Sequence, residues 1–309
     1  MKRIRRGFTL IELLFVIVIM GIVGGVALEA IRQYYDGIYR TQVYSQRVAE
    51  ADHMLDLLSK YFENAIDISI VNMDEDAADG ALVGNCEGDP EEETENTAHD
   101  YTVVFVGVDT DSLRTSPKPG WSEKANSTFA GTSLTPLDAN LSLANTIISA
   151  LYSGSNLANS AIYNHQDIAD TCDDFYANNG NAYYSITNFT NNTLTLTNNA
   201  GSSIFDEGDR SKKYLLRTGY AFRVLNTGEF VMFSNFRPWK GEAYNTGSRN
   251  TLGNNVASFY ADFNNTNSFS DRGSIWRLKV CMRGLDANLS TNDTASDAIC
   301  RERKVHVRY

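Results

Sequence analysis

The stretch Gly7-Phe8-Thr9-Leu10-Ile11-Glu12-Leu13-Leu14-Phe15-Val16-Ile17-Val18 decides the fold, because it opens an apolar run that reaches Leu28 with Glu12 as its only charge. As a helix, the residues from Phe8 to Leu28 rise about 32 Å, close to the hydrocarbon thickness of one bilayer. Lys2, Arg3, Arg5 and Arg6 stand directly before it, and flanking basic residues stay on the cytoplasmic side, so the rest of the chain is expected outside that membrane. A secretory signal peptide would be shorter and would end in a small-residue cleavage site, whereas this run passes into Glu29, Ala30, Ile31 and Arg32. A plain anchor leaves Glu12 without a purpose, since a carboxylate one turn into an apolar span costs about 1 to 3 kcal/mol unless neutralised. Gly21 and Gly25 form a G-x-x-x-G pair with Gly24 beside them. Such a pair either lets helices approach closely or is simply tolerated in an apolar helix.

Downstream, Tyr44, Val48, Ala51, Leu55, Leu58, Phe62 and Ala65 recur at spacings of four and three, which is one apolar stripe on a helix. Glu50, Asp52, Asp56, Lys60 and Glu63 occupy its other faces, and no proline interrupts the chain before Pro90. The pattern predicts a single helix from about Phe8 to Ala65, greasy all round at first and amphipathic later, with a globular domain packed on the stripe. Tyr34, Tyr35 and Tyr39 fit an interfacial aromatic belt or residues that pack inside an assembly.

The whole chain has 309 residues, a net charge of -11 and 42% apolar content, enough for one or two packed domains. The acid excess argues against nucleic acid as primary partner, because phosphate binding needs clustered Lys and Arg. Asp74 to Glu95 is acidic and poor in apolar residues. Asp74, Asp76, Asp79 and Gly80 approach a calcium loop, but Ala78 and Asp79 stand where an EF-hand needs an acid and a glycine, so a solvated connection is expected. Strands are expected at Tyr101 to Val108, Tyr220 to Leu225, Glu229 to Ser234, Val256 to Phe263, Ser274 to Arg283 and Lys304 to Tyr309. Asn226, Thr227 and Gly228 supply a hairpin turn. Between about 109 and 209 the chain is rich in Asn, Ser and Thr. It carries a helix signal at Leu141 to Leu151 and a hairpin at Tyr183 to Thr190 with Thr193 to Thr197, and is expected to be a large insertion or elaborated loop region. The sequons at Asn126, Asn140 and Asn188 follow from that composition.

The basic leader, Gly7, Phe8, Glu12 four residues later and the unbroken apolar helix together resemble the N-terminal processing and methylation motif of type IV pilins and type II secretion pseudopilins. The resemblance implies a pilin-like α+β fold, with a long N-terminal helix packed against a C-terminal antiparallel sheet. Its implied parts are a leader over 1–7, a transmembrane or filament-core helix over 8–28, an amphipathic continuation over 29–66 and a β-rich headgroup over 67–309. Prepilin peptidase would cut after Gly7 and methylate Phe8, leaving 23 basic against 38 acidic side chains, a net charge of -15. Glu12 would then guide assembly with other pilin or pseudopilin subunits on an inner-membrane platform. The protein would sit in the inner membrane by a single pass, with its C-terminal domain in the periplasm, or enter a periplasmic or surface filament. Gln46 to Ile66, Asn255 to Phe259 and Trp276 to Arg283 resemble the minor pseudopilin J class, with the type IV minor pilin W class nearly as similar. A low-copy subunit that helps begin or cap a filament is implied. A membrane-anchored adhesin or ligand-binding module using the Asn-rich middle is the alternative.

The four cysteines, Cys86, Cys172, Cys281 and Cys300, form no C-x-x-C pair, which disfavours zinc, while an exported domain makes disulfides the default. Of three pairings, sequence proximity and the strand pattern favour Cys281 with Cys300 and Cys86 with Cys172. The C-terminal disulfide loop common among pilins supports the same choice, and separately buried thiols remain the alternative. His53, His99, His165 and His306 are scattered, and no metalloprotease, nucleophile-elbow or P-loop pattern occurs. No enzyme activity, metal or cofactor is expected.

Overall fold

The computed structural model describes residues 10–74, 101–113, 117–122, 127–152, 154–164, 176, 183–190, 192–197, 212–263, 274–284 and 298–308. Helix α1 (Leu10–Phe62) opens it and stays helical through Gly21, Gly24 and Gly25. Residues up to Ala49 and residues from Glu50 onward form two units. The first is the exposed length of α1. The second is an antiparallel β domain that includes the last turns of α1, so the architecture is α+β.

In the second unit Ala51, Met54, Leu55, Leu58 and Phe62 are buried. Tyr44, placed on the same stripe by its spacing, is instead 57% exposed, and burial begins at Ala51. The helix stops at Phe62, short of Ala65, because the next backbone groups are taken by a strand. Ile66 N donates to Val106 O at 3.0 Å, Val108 N donates to Asn64 O at 2.9 Å, and Ala65 bridges Gly107. Further on, β1 (Val71–Asp74) pairs along the same edge of β2 (Tyr101–Val108).

The middle of the chain contributes β3 (Ser127–Ala130), β4 (Ser133–Pro136), helix α2 (Leu141–Leu151), β5 (Ala161–Asn164), β6 (Tyr183–Phe189) and β7 (Leu194–Thr197). The strands of this region join the main sheet, which is more order than the expected helix and hairpin. Then come β8 (Lys213–Val224), β9 (Phe230–Phe236), β10 (Ser248–Gly253), β11 (Val256–Phe263), β12 (Ser274–Met282) and β13 (Ile299–Val307). Among the described residues there are two sheets. The larger has the order β1-β2-β8-β5-β6-β7-β4-β3, with β9 and β10 branching from β8, and the smaller has the order β11-β12-β13.

β8 is the hub. One of its edges pairs with β2 from Leu216 to Arg223, while the other is shared between β5, over Lys213 to Leu216, and β9, over Gly219 to Val224. Both faces of the strand are covered, so its side chains are buried almost without alternation. Gly219 has no side chain to hold off the Phe236 ring, which lies where a Cβ would stand. The β8–β9 hairpin turns at Gly228, whose φ of 83° suits glycine.

Three cores follow from this layout. The first joins the α1 face to both sheets, with Phe62 and Phe105 rings 4.7 Å apart and Phe105 and Phe222 5.7 Å apart. Trp276, Leu278 and Val280 of β12 and Val305 and Val307 of β13 point into it, while Arg277 and His306 point to water. The second lies around Val104, Tyr214, Phe236 and Trp239. The third belongs to the Asn-rich middle, where α2 packs Leu141, Ala144 and Ile148 against Leu134, Ile186 and Leu196. Asn140, one of the sequons, caps α2 by accepting a hydrogen bond from Leu143 N at 3.1 Å.

Candidate functional site

From Leu10 to Leu28 the apolar side chains of α1 have no cover. Leu10, Ile11, Leu13, Leu14, Phe15 and Ile17 are each more than half exposed. This is the one stretch among the described residues long and apolar enough to cross a membrane. Glu12 is exposed on its first turn. A Cβ added at Gly21 or Gly25 would meet nothing within 4 Å, so both leave backbone open to a close neighbour. Further along, Gly37, Thr41, Ser45 and Ala49 recur every four residues and line a shallow groove. Small groups in such a row bring helix axes close together.

The packed end of α1 is tied down by charge as well as by apolar burial. Arg301 Nε donates to Asp52 Oδ1 at 2.9 Å, Arg303 pairs with Asp56, and Arg308 reaches Glu63 at 3.6 Å. Two strand residues advance about 6.7 Å and four helical residues about 6 Å, so Arg301 and Arg303 keep step with Asp52 and Asp56. Where the helix ends, Asp67 Oδ1 accepts hydrogen bonds from Trp276 Nε1 at 2.7 Å and from Ser274 Oγ. Cys281 and Cys300 face each other on β12 and β13 and are joined by a disulfide.

A buried polar cluster joins the middle lobe to β8. Arg217 donates to Tyr220 Oη at 2.6 Å and Asp111 Oδ2 at 3.0 Å, and its guanidinium lies 3.6 Å from the centre of the Tyr152 ring. Asp109 is buried and accepts from Ser112 Oγ at 2.5 Å. Burial pushes the Tyr220 phenol above its ordinary value, against the lowering effect of Arg217. Burial would lower Arg217, but the neighbouring Tyr220, Tyr152 and Asp109 outweigh it and hold the guanidinium up. The two terminal nitrogens of Arg217 are taken up by Asp109, Asp111 and Tyr220, while its buried Nε has no hydrogen-bond partner among the described residues, and the cluster acts as a structural clasp. Sequence alone gives little signal for it, because Arg217 lies 106 positions from Asp111 and becomes its neighbour only through strand pairing.

Gly7, Phe8, Cys86 and Cys172 lie outside the described residues, as do positions 75 to 100 of the acidic stretch. Of the anticipated site residues, α1 carries Glu12, Gly21 and Gly25 on its exposed length, and Cys281 and Cys300 lie in the smaller sheet.

Residues 2–28 match the family model described as the prokaryotic N-terminal methylation motif. No curated protein and no solved structure matches the chain. The motif supports the type IV pilin and pseudopilin family and points to a structural subunit that assembles with other pilins. Together with the apolar helix it fits a membrane-anchored, single-pass protein.

Proposed function

We propose that this protein is a minor pilin or pseudopilin, stored in the inner membrane with its β domain in the periplasm and recruited to begin or cap a short filament. The observation that carries this is the methylation motif over 2–28 at the head of a 53-residue helix whose first half is apolar and exposed. Prepilin peptidase removes the leader 1–7 and methylates Phe8. Glu12, one turn along, then meets the new amine of its own or a neighbouring subunit, which sets axial register on the assembly platform. Gly21 and Gly25 allow the bare helices to close on each other. The sequence of Gln46 to Ile66 and Trp276 to Arg283 supports a place near the J class of pseudopilins or the W class of minor pilins.

Mass spectrometry of the protein purified from cells with active prepilin peptidase tests the proposal. An N-methylated Phe8 at the terminus is expected, and an intact Met1 to Gly7 rejects it. A second use of the molecule, adhesion or ligand binding through the middle region, draws support from the separate core of that lobe around α2. Loss of surface attachment with normal filament assembly, on replacing the lobe, would favour it.

A further inference from the structure

The helix changes character directly beyond the apolar run. Ile31, Tyr34, Tyr35, Ile38 and Tyr39 fall within about 140° of one side at 100° per residue. Glu29, Arg32, Gln33, Asp36 and Arg40 occupy the opposite side. Tyr34, Tyr35 and Tyr39 are 68%, 66% and 59% exposed, with the Tyr34 and Tyr35 rings edge to face at 6.1 Å. On the other side Arg32 and Asp36 lie 3.9 Å apart. Among the described residues of the first unit, none covers the aromatic stripe.

We infer that Ile31, Tyr34 and Tyr35 form a one-sided interfacial stripe that rests in the lipid headgroup zone, with Ile38 and Tyr39 continuing it outward on the same side, and that this stripe fixes the tilt and rotation of the membrane-stored subunit. The inference rests on Leu10 to Leu28 being the membrane span. Axial position and side-chain direction together carry it. Tyr34 and Tyr35 stand six and seven residues past Leu28, about 9 to 11 Å along the axis. Helical side chains lean toward the N-terminus, which here is toward the bilayer, so each phenol covers the turn before its own Cα. That brings the rings into the headgroup layer, which is about 5 to 8 Å deep on each side of the hydrocarbon.

The chemistry matches the depth. A phenol has an apolar ring and a polar hydroxyl, the combination enriched at membrane interfaces. A stripe on one side favours leaning that side toward the lipid, with the Arg32, Asp36 and Arg40 side toward water. Tilt and rotation of a single span are set by such anchors where no neighbouring helix sets them.

The test uses the full chain in vesicles of phosphatidylethanolamine and phosphatidylglycerol. The lipids carry a nitroxide either on the headgroup or at the end of the acyl chain. Quenching of an introduced tryptophan is read as the difference from the unsubstituted chain, so the native Trp121, Trp239 and Trp276 cancel. Val18→Trp reports the span and is expected to be quenched by the acyl-chain label. Tyr34→Trp and Tyr35→Trp are expected to be quenched at least about twofold more by the headgroup label than by the acyl-chain label. Gln33→Trp, at nearly the same height on the charged side, is expected to be quenched less than Tyr34→Trp. Equal quenching at positions 33 and 34 overturns the stripe. Quenching of Val18→Trp without Tyr34→Trp or Tyr35→Trp overturns it while leaving the span in place. An unquenched Val18→Trp removes the span and the stripe together.

Discussion

The two lengths of α1 are one helix in opposite surroundings. From Leu10 to Leu28 it presents Leu, Ile, Val and Phe to open space, and from Ala51 to Phe62 it buries fewer apolar groups completely. Apolar content therefore does not predict burial within this chain. What differs is periodicity. The second length concentrates its apolar groups on one face that a sheet can cover, while the first spreads them all round, a pattern that only a bilayer or a bundle of helices can satisfy. Each large side chain left in water forgoes about 1.5 to 3 kcal/mol. The first length thus has the pattern of a surface that a bilayer or other helices complete.

That contrast fails if the two lengths respond alike to truncation. Phe62→Ala opens a cavity beneath Phe105 and Phe222 and is expected to lower the stability of the β domain by about 3 to 5 kcal/mol, read by chemical denaturation. Leu14→Ala in the same assay is expected to leave that domain unchanged, and an equal loss would erase the distinction.

Glu12 probes the uncovered length by function. A carboxylate paired in a water-shielded helix bundle matters by several kcal/mol. Glu12→Leu is therefore expected to keep membrane insertion and leader removal but to cut co-purification with filament partners by about tenfold or more. Incorporation at the wild-type level would show that another group recruits the subunit.

On the packed side, replacing Cys281 and Cys300 together by serine removes a link with a sequence separation of 19. A loop of that size is worth about 3 kcal/mol. The loss should appear as a lower melting temperature of the β domain, with membrane insertion untouched.

A smaller effect comes from the phenol of Tyr220. Burial raises its pKa in the folded state, so the unfolded chain releases that proton first as pH rises. Stability is fully present below the unfolded value near 10 and declines above it, by at most about 1.4 kcal/mol per pH unit for one group. Tyr220→Phe should flatten the alkaline limb of a stability-against-pH curve, and an unchanged slope assigns the effect elsewhere. Smallest of all, Arg303→Met breaks one half-exposed pair with Asp56 and is expected to cost less than about 1 kcal/mol, an effect that salt diminishes.

Much of the packed architecture was legible because it follows simple periods. Ala51, Leu55, Leu58 and Phe62 keep helical spacing, Trp276, Leu278 and Val280 alternate, and Asn226 to Gly228 is a strong turn. Leu141 to Leu151 emerged with its observed bounds. Other elements were hidden for physical reasons. β10 is largely exposed and polar, so it has no apolar alternation to detect. β13 was expected only from Lys304, because the inward side chains at its start are Arg301 and Arg303, which meet acids on the helix instead of apolar groups. Short strands rich in Ser and Thr made the middle resemble loop, although Leu134, Leu194 and Leu196 build a core there. Around the uncovered helix, Glu12 stood out by its isolation in an apolar run. The Arg217 clasp had no comparable marker, since strand pairing alone brings its members together.

The shared edge of β8 gives the molecule a mechanical character. Its first residues pair with β5 of the middle lobe, its last with β9, and β2 runs beside it from Leu216 to Arg223. A pull applied to the lobe therefore enters a strand whose hydrogen bonds to β2 lie side by side across the load. Bonds loaded in shear must yield together, whereas those at the four-residue junction with β5 are few. The lobe therefore meets the helix-facing half of the molecule through β8 itself, with Arg217 and Trp121 adding side-chain ties to the short β5 junction.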